Sequence, residues 1–72
     1  MYIRKYITMS INGFKIRQLR ESKNLKQEDL AVMVDTSQQV ISHIELNKRH
    51  RVSFERIEKI AEALNVKIDD LI

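Results

Sequence analysis

The sequence predicts an all-α domain, and three observations carry the prediction. Four runs of apolar residues recur at helical spacing, Asn24, Asp35, Asn47 and Asn65 each stand where one run ends, and the 72 residues include no proline and one glycine. Asparagine and aspartate are the non-glycine residues that best tolerate the left-handed conformation in which helices stop. The chain therefore carries its punctuation without the usual breakers.

The elements follow in order. Tyr2, Ile3, Tyr6 and Ile7 fit both an i, i+4 helix and a short β-branched, aromatic strand, and residues 1–10 are read as a strand or ordered arm, with Met9 as an alternative start. Gly13 to Lys23 places Ile16 and Leu19 on one face with Arg20 beside them. Gln27 to Val34 groups Leu30, Ala31 and Val34; Ser37 to Leu46 groups Val40, Ile41 and Ile44. Ser53 to Leu64 has the longest stripe, Phe54, Ile57, Ile60, Ala61 and Leu64. A last short turn holds Ile68, Leu71 and Ile72, which so small an element is not expected to bury fully. Leu25 after Asn24 and Val66 after Asn65 are placed for Schellman-type stops. Starts are less regular: Ser37 and Ser53 are good N-caps, whereas Lys26 is a poor one, although Glu28, Asp29 and Glu55 sit in first turns where the helix dipole favours acids.

Composition narrows the class. A chain of 72 residues suffices for one domain, and with no cysteine and two isolated histidines neither a disulfide nor a metal site is expected. The longest apolar run, Leu30 to Val34, is far short of the ~20 residues that span a bilayer, and the N-terminus lacks the pattern of a secretory signal. A cytoplasmic protein is expected. Residues 1–26 carry seven Lys/Arg against Glu21 alone, while residues 52–72 carry three against five acids. Lys48, Arg49, His50 and Arg51 form a second basic knot between two helical patterns, where long side chains reach towards a polyanion.

The segment Gln27 to Leu46 carries the functional signal. Two helices joined by a three-residue turn cross at roughly 90 to 120°, and so close a crossing calls for a small residue on the first helix, here Ala31. Asp35 and Thr36 suit the turn, Ser37 caps the second helix, and Ile41 and Ile44 point back onto Leu30 and Val34. Gln38, Gln39, Ser42 and His43 are left facing away from the core. Such side chains suit major-groove edges, since glutamine pairs bidentately with adenine, serine donates or accepts, and histidine donates to guanine. An ordinary polar solvent face is the plainer reading of the same residues, and the helix-turn-helix context decides against it.

From Ile11 to Ile72 the chain resembles the Xre/Cro-type helix-turn-helix family, and especially the DNA-binding domains of lambdoid phage repressors. The resemblance rests on Arg20, then Gln27, Leu30 and Ala31, then Ser37, Gln38, Gln39, Ile41, Ile44 and Glu45, and finally Lys48, Ser53, Ala61, Leu64 and Asp70-Leu71. It implies a compact five-helix domain over residues 11–72, preceded by the arm, with a recognition helix at 37–46 in the major groove. It also implies a homodimer reading an inverted repeat in double-stranded DNA, as a transcriptional regulator of repressor type with no cofactor. By the same resemblance Gln38, Gln39, Ser42 and His43 contact bases, and Gln27, Ser37, Asn47, Lys48 and Arg49 contact phosphates. Arg20 pairs with Glu45 in a structural salt bridge and stands near a phosphate. Asn24, Asp35, Asn47 and Asn65 replace the family's usual glycines, and Val52 replaces a frequent proline, which suggests a less rigid approach to the fourth long helix. His43 replaces a longer polar residue, so the relatives' target sequence does not transfer.

Two other functional classes compete with this reading. An enzyme finds little support, because Ser42 and His43, like Asp69 and Asp70, are adjacent and diverge by about 100° on a helix. An antitoxin-like or adaptor module, binding a protein through Val32, Met33, Phe14 or the N-terminal arm, is the stronger rival, although scattered surface apolarity explains Val32 and Met33 as well.

Overall fold

The computed structural model describes residues 8–48 and 51–72. In chain order it contains strand β1 (Thr8–Ser10), helices α1 (Gly13–Ser22), α2 (Gln27–Met33) and α3 (Gln38–Glu45), strand β2 (Arg51–Ser53), helix α4 (Phe54–Leu64) and a 3₁₀ turn (Ile68–Asp70). The expected fifth helix is thus a single 3₁₀ turn. Its segment is too short to close an α-helical ladder, and it tightens to bonds from Asp70 N–H to the Lys67 carbonyl (3.0 Å) and from Leu71 N–H to that of Ile68 (2.8 Å).

All four proposed stops are left-handed, with φ of 58° at Asn24, 57° at Asp35, 58° at Asn47 and 56° at Asn65. Each carries the paired bonds of a Schellman motif. Leu25 N–H reaches the Arg20 carbonyl and Asn24 N–H that of Glu21; Val66 and Asn65 do the same with Ala61 and Glu62. Thr36 and Asp35 bond to Ala31 and Val32, and Lys48 and Asn47 to His43 and Ile44. The weak cap at Lys26 is offset from the other side, because Asp29 Oδ2 accepts from the Lys26 N–H at 2.8 Å.

The core gathers Ile16, Leu30, Ala31, Val34, Ile41, Ile44, Val52, Ile57, Ile60, Ala61, Leu64 and Leu71. Leu71, expected at the surface, is fully buried. The backbone explains this, since the Leu71 carbonyl accepts from Asn12 N–H at 2.7 Å and draws the C-terminal turn against the start of α1. Ile68 is half-buried and Ile72 remains exposed.

Two features had no signal in the periodicity. The first is the antiparallel ribbon, in which Thr8, Met9 and Ser10 face Ser53, Val52 and Arg51. Part of the N-terminal arm is therefore a strand, while Tyr2, Ile3, Tyr6 and Ile7 lie outside the described residues. Val52 is buried in that ribbon, so strand pairing holds the approach to α4 where the family often has proline. The second is the contact of α1 with α3: a Cβ on Gly13 would lie 2.1 Å from the Ile44 carbonyl and 2.9 Å from that of Glu45, so no other residue fits without backbone movement.

Candidate nucleic-acid interface

Helix α3 is positioned by its cap and its buried face. Ser37 Oγ accepts from the Val40 N–H at 3.3 Å, which fixes the first turn. Ile41, Ile44 and Glu45 are buried against the core. On the opposite side Gln38 and Gln39 are exposed, and Ser42 and His43 are half-buried. All four thus share the outward side, with the glutamines most accessible.

Beneath that side runs a polar network linking three helices. Arg20 on α1 donates from Nε to Glu45 Oε2 at 2.6 Å and from Nη2 to Glu45 Oε1 at 3.0 Å, a bidentate pair within the core. Its remaining Nη1 donates to the Leu25 carbonyl at 2.6 Å. Gln27, the first residue of α2, donates from Nε2 to Glu45 Oε1 at 3.1 Å, and its Oε1 receives a long bond from Gln38 Nε2 at 3.5 Å. The first turn of α3 is therefore connected through Gln27 to the buried ion pair.

The electrostatics agree with the geometry. The Glu45 carboxylate, hydrogen-bonded to the guanidinium, raises the Arg20 pKa above its ordinary value and outweighs the desolvation that lowers it. Arg20 and Glu45 are 7% and 6% exposed, and Arg20 Nη2 also lies 4.0 Å from the exposed Glu21 carboxylate, so the expected structural salt bridge is built into the scaffold that carries α3.

The other proposed backbone contacts separate into two groups. Lys48 and Ser37 are exposed beside α3. Asn47 is exposed as well, yet its Oδ1 accepts from Gly13 N–H at 3.0 Å and so has a scaffold duty, joining α1 to the end of α3. Arg49 lies outside the described residues. Among the described residues no cluster of three His, Cys, Asp or Glu is placed to hold a metal ion.

Sequence reasoning missed two arginines. Arg51 on β2 donates to the Thr8 hydroxyl (2.9 Å) and carbonyl (3.0 Å), and Arg56 on α4 donates to the Thr36 hydroxyl at 2.9 Å. Arg51 was visible only as part of the basic knot. Nothing in the periodicity pointed from Arg56 to a turn 20 residues away.

Comparison with known proteins places this arrangement. A helix-turn-helix family model matches residues 16–71. The control protein C.BamHI of Bacillus amyloliquefaciens is 48% identical over 61 residues, covering 83% of this chain and 74% of that protein. Among solved structures, the restriction-modification controller protein C.AhdI of Aeromonas hydrophila is similar with a TM-score of 0.78 at 33% identity, covering 83% of this chain and 89% of that one. The c2 repressor of P22, solved in complex with a synthetic operator, is similar with a TM-score of 0.75 at 28% identity, covering 79% and 85%.

Proposed function

The chain belongs to the helix-turn-helix family of regulators resembled above, and on that premise we propose that it is a DNA-binding transcriptional regulator that places α3 in the major groove. The observation that carries the proposal is the division of α3: its inner face is locked by the core and by the Arg20–Glu45–Gln27 network, while Gln38 and Gln39 are exposed at its N-terminal end, Gln38 held only by a long bond to Gln27. A rigid helix with solvent-accessible amides at its leading end is what base reading requires, because specificity depends on donors and acceptors held in register.

In this reading Gln38, Gln39, Ser42 and His43 face base edges. Gln27, Ser37, Lys48, Arg49 and the amide of Asn47 face the phosphates, which position the helix without reading sequence. The domain extends over residues 11–72 and takes in β1 through the ribbon. Two copies bind an inverted repeat as a cytoplasmic repressor-type dimer. The similarity to the restriction-modification controller protein C.AhdI supports genes of such a system as the regulated set.

One observation favours a second reading, an apolar surface for a protein partner. Val32 and Met33 are 80% and 52% exposed, and Met33 borders a groove with Asp35, Lys59, Glu62 and Ala63. The two readings respond differently to salt, since phosphate-mediated binding weakens steeply with ionic strength and an apolar contact does not. Selection of binding sites from a random duplex pool tests the main proposal. The expected product is an inverted repeat with half-sites about one helical turn apart. A pool that shows no enrichment refutes it.

A further inference from the structure

A shallow groove of about 330 Å³ lies between the turn before α3, the ribbon and the start of α4, lined by Thr36, Val40, Arg51, Val52, Ser53 and Arg56. Two guanidinium groups border it. The contacts that hold them are to neutral oxygens: Arg56 Nη1 to the Thr36 hydroxyl at 2.9 Å, Arg51 Nε to the Thr8 hydroxyl at 2.9 Å, and Arg51 Nη2 to the Thr8 carbonyl at 3.0 Å. Each guanidinium has five N–H donors, so these bonds orient the two planes and leave donors over. Neutral acceptors also leave both charges uncompensated by the groups that orient them.

The position of the groove is as informative as its chemistry. Thr36 and Val40 flank Ser37, Gln38 and Gln39, so the groove opens beside the first turn of α3, at the opposite end of that helix from Lys48. We propose that Arg51 and Arg56 together clamp one backbone phosphate of bound DNA at the leading end of α3. The inference rests on the reading of the chain as a DNA-binding regulator and adds to it a second backbone anchor.

Arginine suits this task better than lysine because its planar fork meets phosphate oxygens bidentately. Threonine bonds that already hold the side chains reduce the ordering cost paid on binding. Arg56 is tied to the residue just before the α3 cap, so a phosphate held there sets the depth and rotation of the turn that carries Gln38 and Gln39. Arg51 and Arg56 are thus positioning residues: they affect affinity for every sequence and leave base preference alone.

The test uses the full chain with a duplex taken from the site selection, and with versions of it carrying one neutral methylphosphonate at successive positions. Arg51→Gln and Arg56→Gln are each expected to weaken binding about tenfold, equally across base variants. The double variant is expected to lower the slope of log K against log salt by about 0.9. One methylphosphonate position that weakens the wild-type complex should leave the double variant unaffected. Melting temperatures are taken alongside, and if a glutamine variant is unfolded at the assay temperature the Arg→Lys variants undergo the same comparison, with the same position-specific penalty expected to shrink. A double variant with wild-type slope and wild-type penalties at every position overturns the clamp while the regulator reading stands. If the wild type itself shows no salt-dependent binding to any duplex, that reading falls and the clamp with it.

Discussion

Replacing Glu45 by glutamine changes one oxygen to an amide and leaves the shape of the core intact, yet it removes the buried carboxylate that balances Arg20. Arg20 and Glu45 are 7% and 6% exposed, so neither group can recover its loss from water without opening the α1–α3 contact. The new amide also sets a donor against a donor, because Arg20 Nε lies 2.6 Å from the oxygen that would become nitrogen in one orientation, and Nη2 lies 3.0 Å from the other. Breaking a buried pair from one side costs about 3–5 kcal/mol. A domain of this size has a total stability of about 4–11 kcal/mol and loses about 4–8 °C of Tm per kcal/mol. Glu45→Gln should therefore lower Tm by at least about 12 °C and leave a large unfolded fraction at 37 °C. Removing both charges is expected to be milder. Arg20→Met with Glu45→Leu leaves no orphaned charge, only the Leu25 carbonyl and the Gln27 amide without their partners, at about 1 kcal/mol each. Urea unfolding of the wild type, single and double variants measures all three. A cost under about 1 kcal/mol for Glu45→Gln, or a double variant less stable than the single, would show that no buried charge is orphaned by the substitution.

Gly13→Ala should destabilise by about 1–3 kcal/mol in thermal unfolding, the reverse of the gain of about 0.5–1 kcal/mol usual for that change in a helix, because the added methyl meets the Ile44 carbonyl at 2.1 Å. At Asn65, whose φ is 56°, alanine should cost about 1–2 kcal/mol and glycine should cost nothing, a contrast that chemical denaturation resolves. Lys48→Ala should lower the salt slope of DNA binding by about one unit without changing which sequence is preferred.

What was legible in the sequence was local. A left-handed stop is decided by one residue and its immediate neighbours, so Asn24, Asp35, Asn47 and Asn65 could be read correctly from residue type and the apolar residue that follows two of them. The helical stripes and the Ser37 and Ser53 caps are equally short-range, and α3 and α4 form where they were expected. The Arg20–Glu45 pair spans 25 positions and was reached only through the family resemblance. What stayed hidden joins distant residues without a periodic signature. Gly13 approaches a backbone 31 and 32 residues away, the difference between its number and those of Ile44 and Glu45. Three-residue strands such as β1 and β2 have too few positions to show alternation, and their pairing is decided by where α1 and α4 bring their ends. Leu71 was misplaced for a similar reason, since its burial depends on the bond from Asn12, far off in the chain.

In the proposed function the leading turn of α3 reads bases. Equilibrium binding of Gln38→Ala and Gln39→Ala to the selected duplex and to its single-base variants tests it most directly. Each variant should lose about 1–3 kcal/mol on the selected sequence and become tolerant of substitution at one base pair in each half-site, with its salt slope unchanged. Variants that keep the full wild-type preference at every position would contradict the claim.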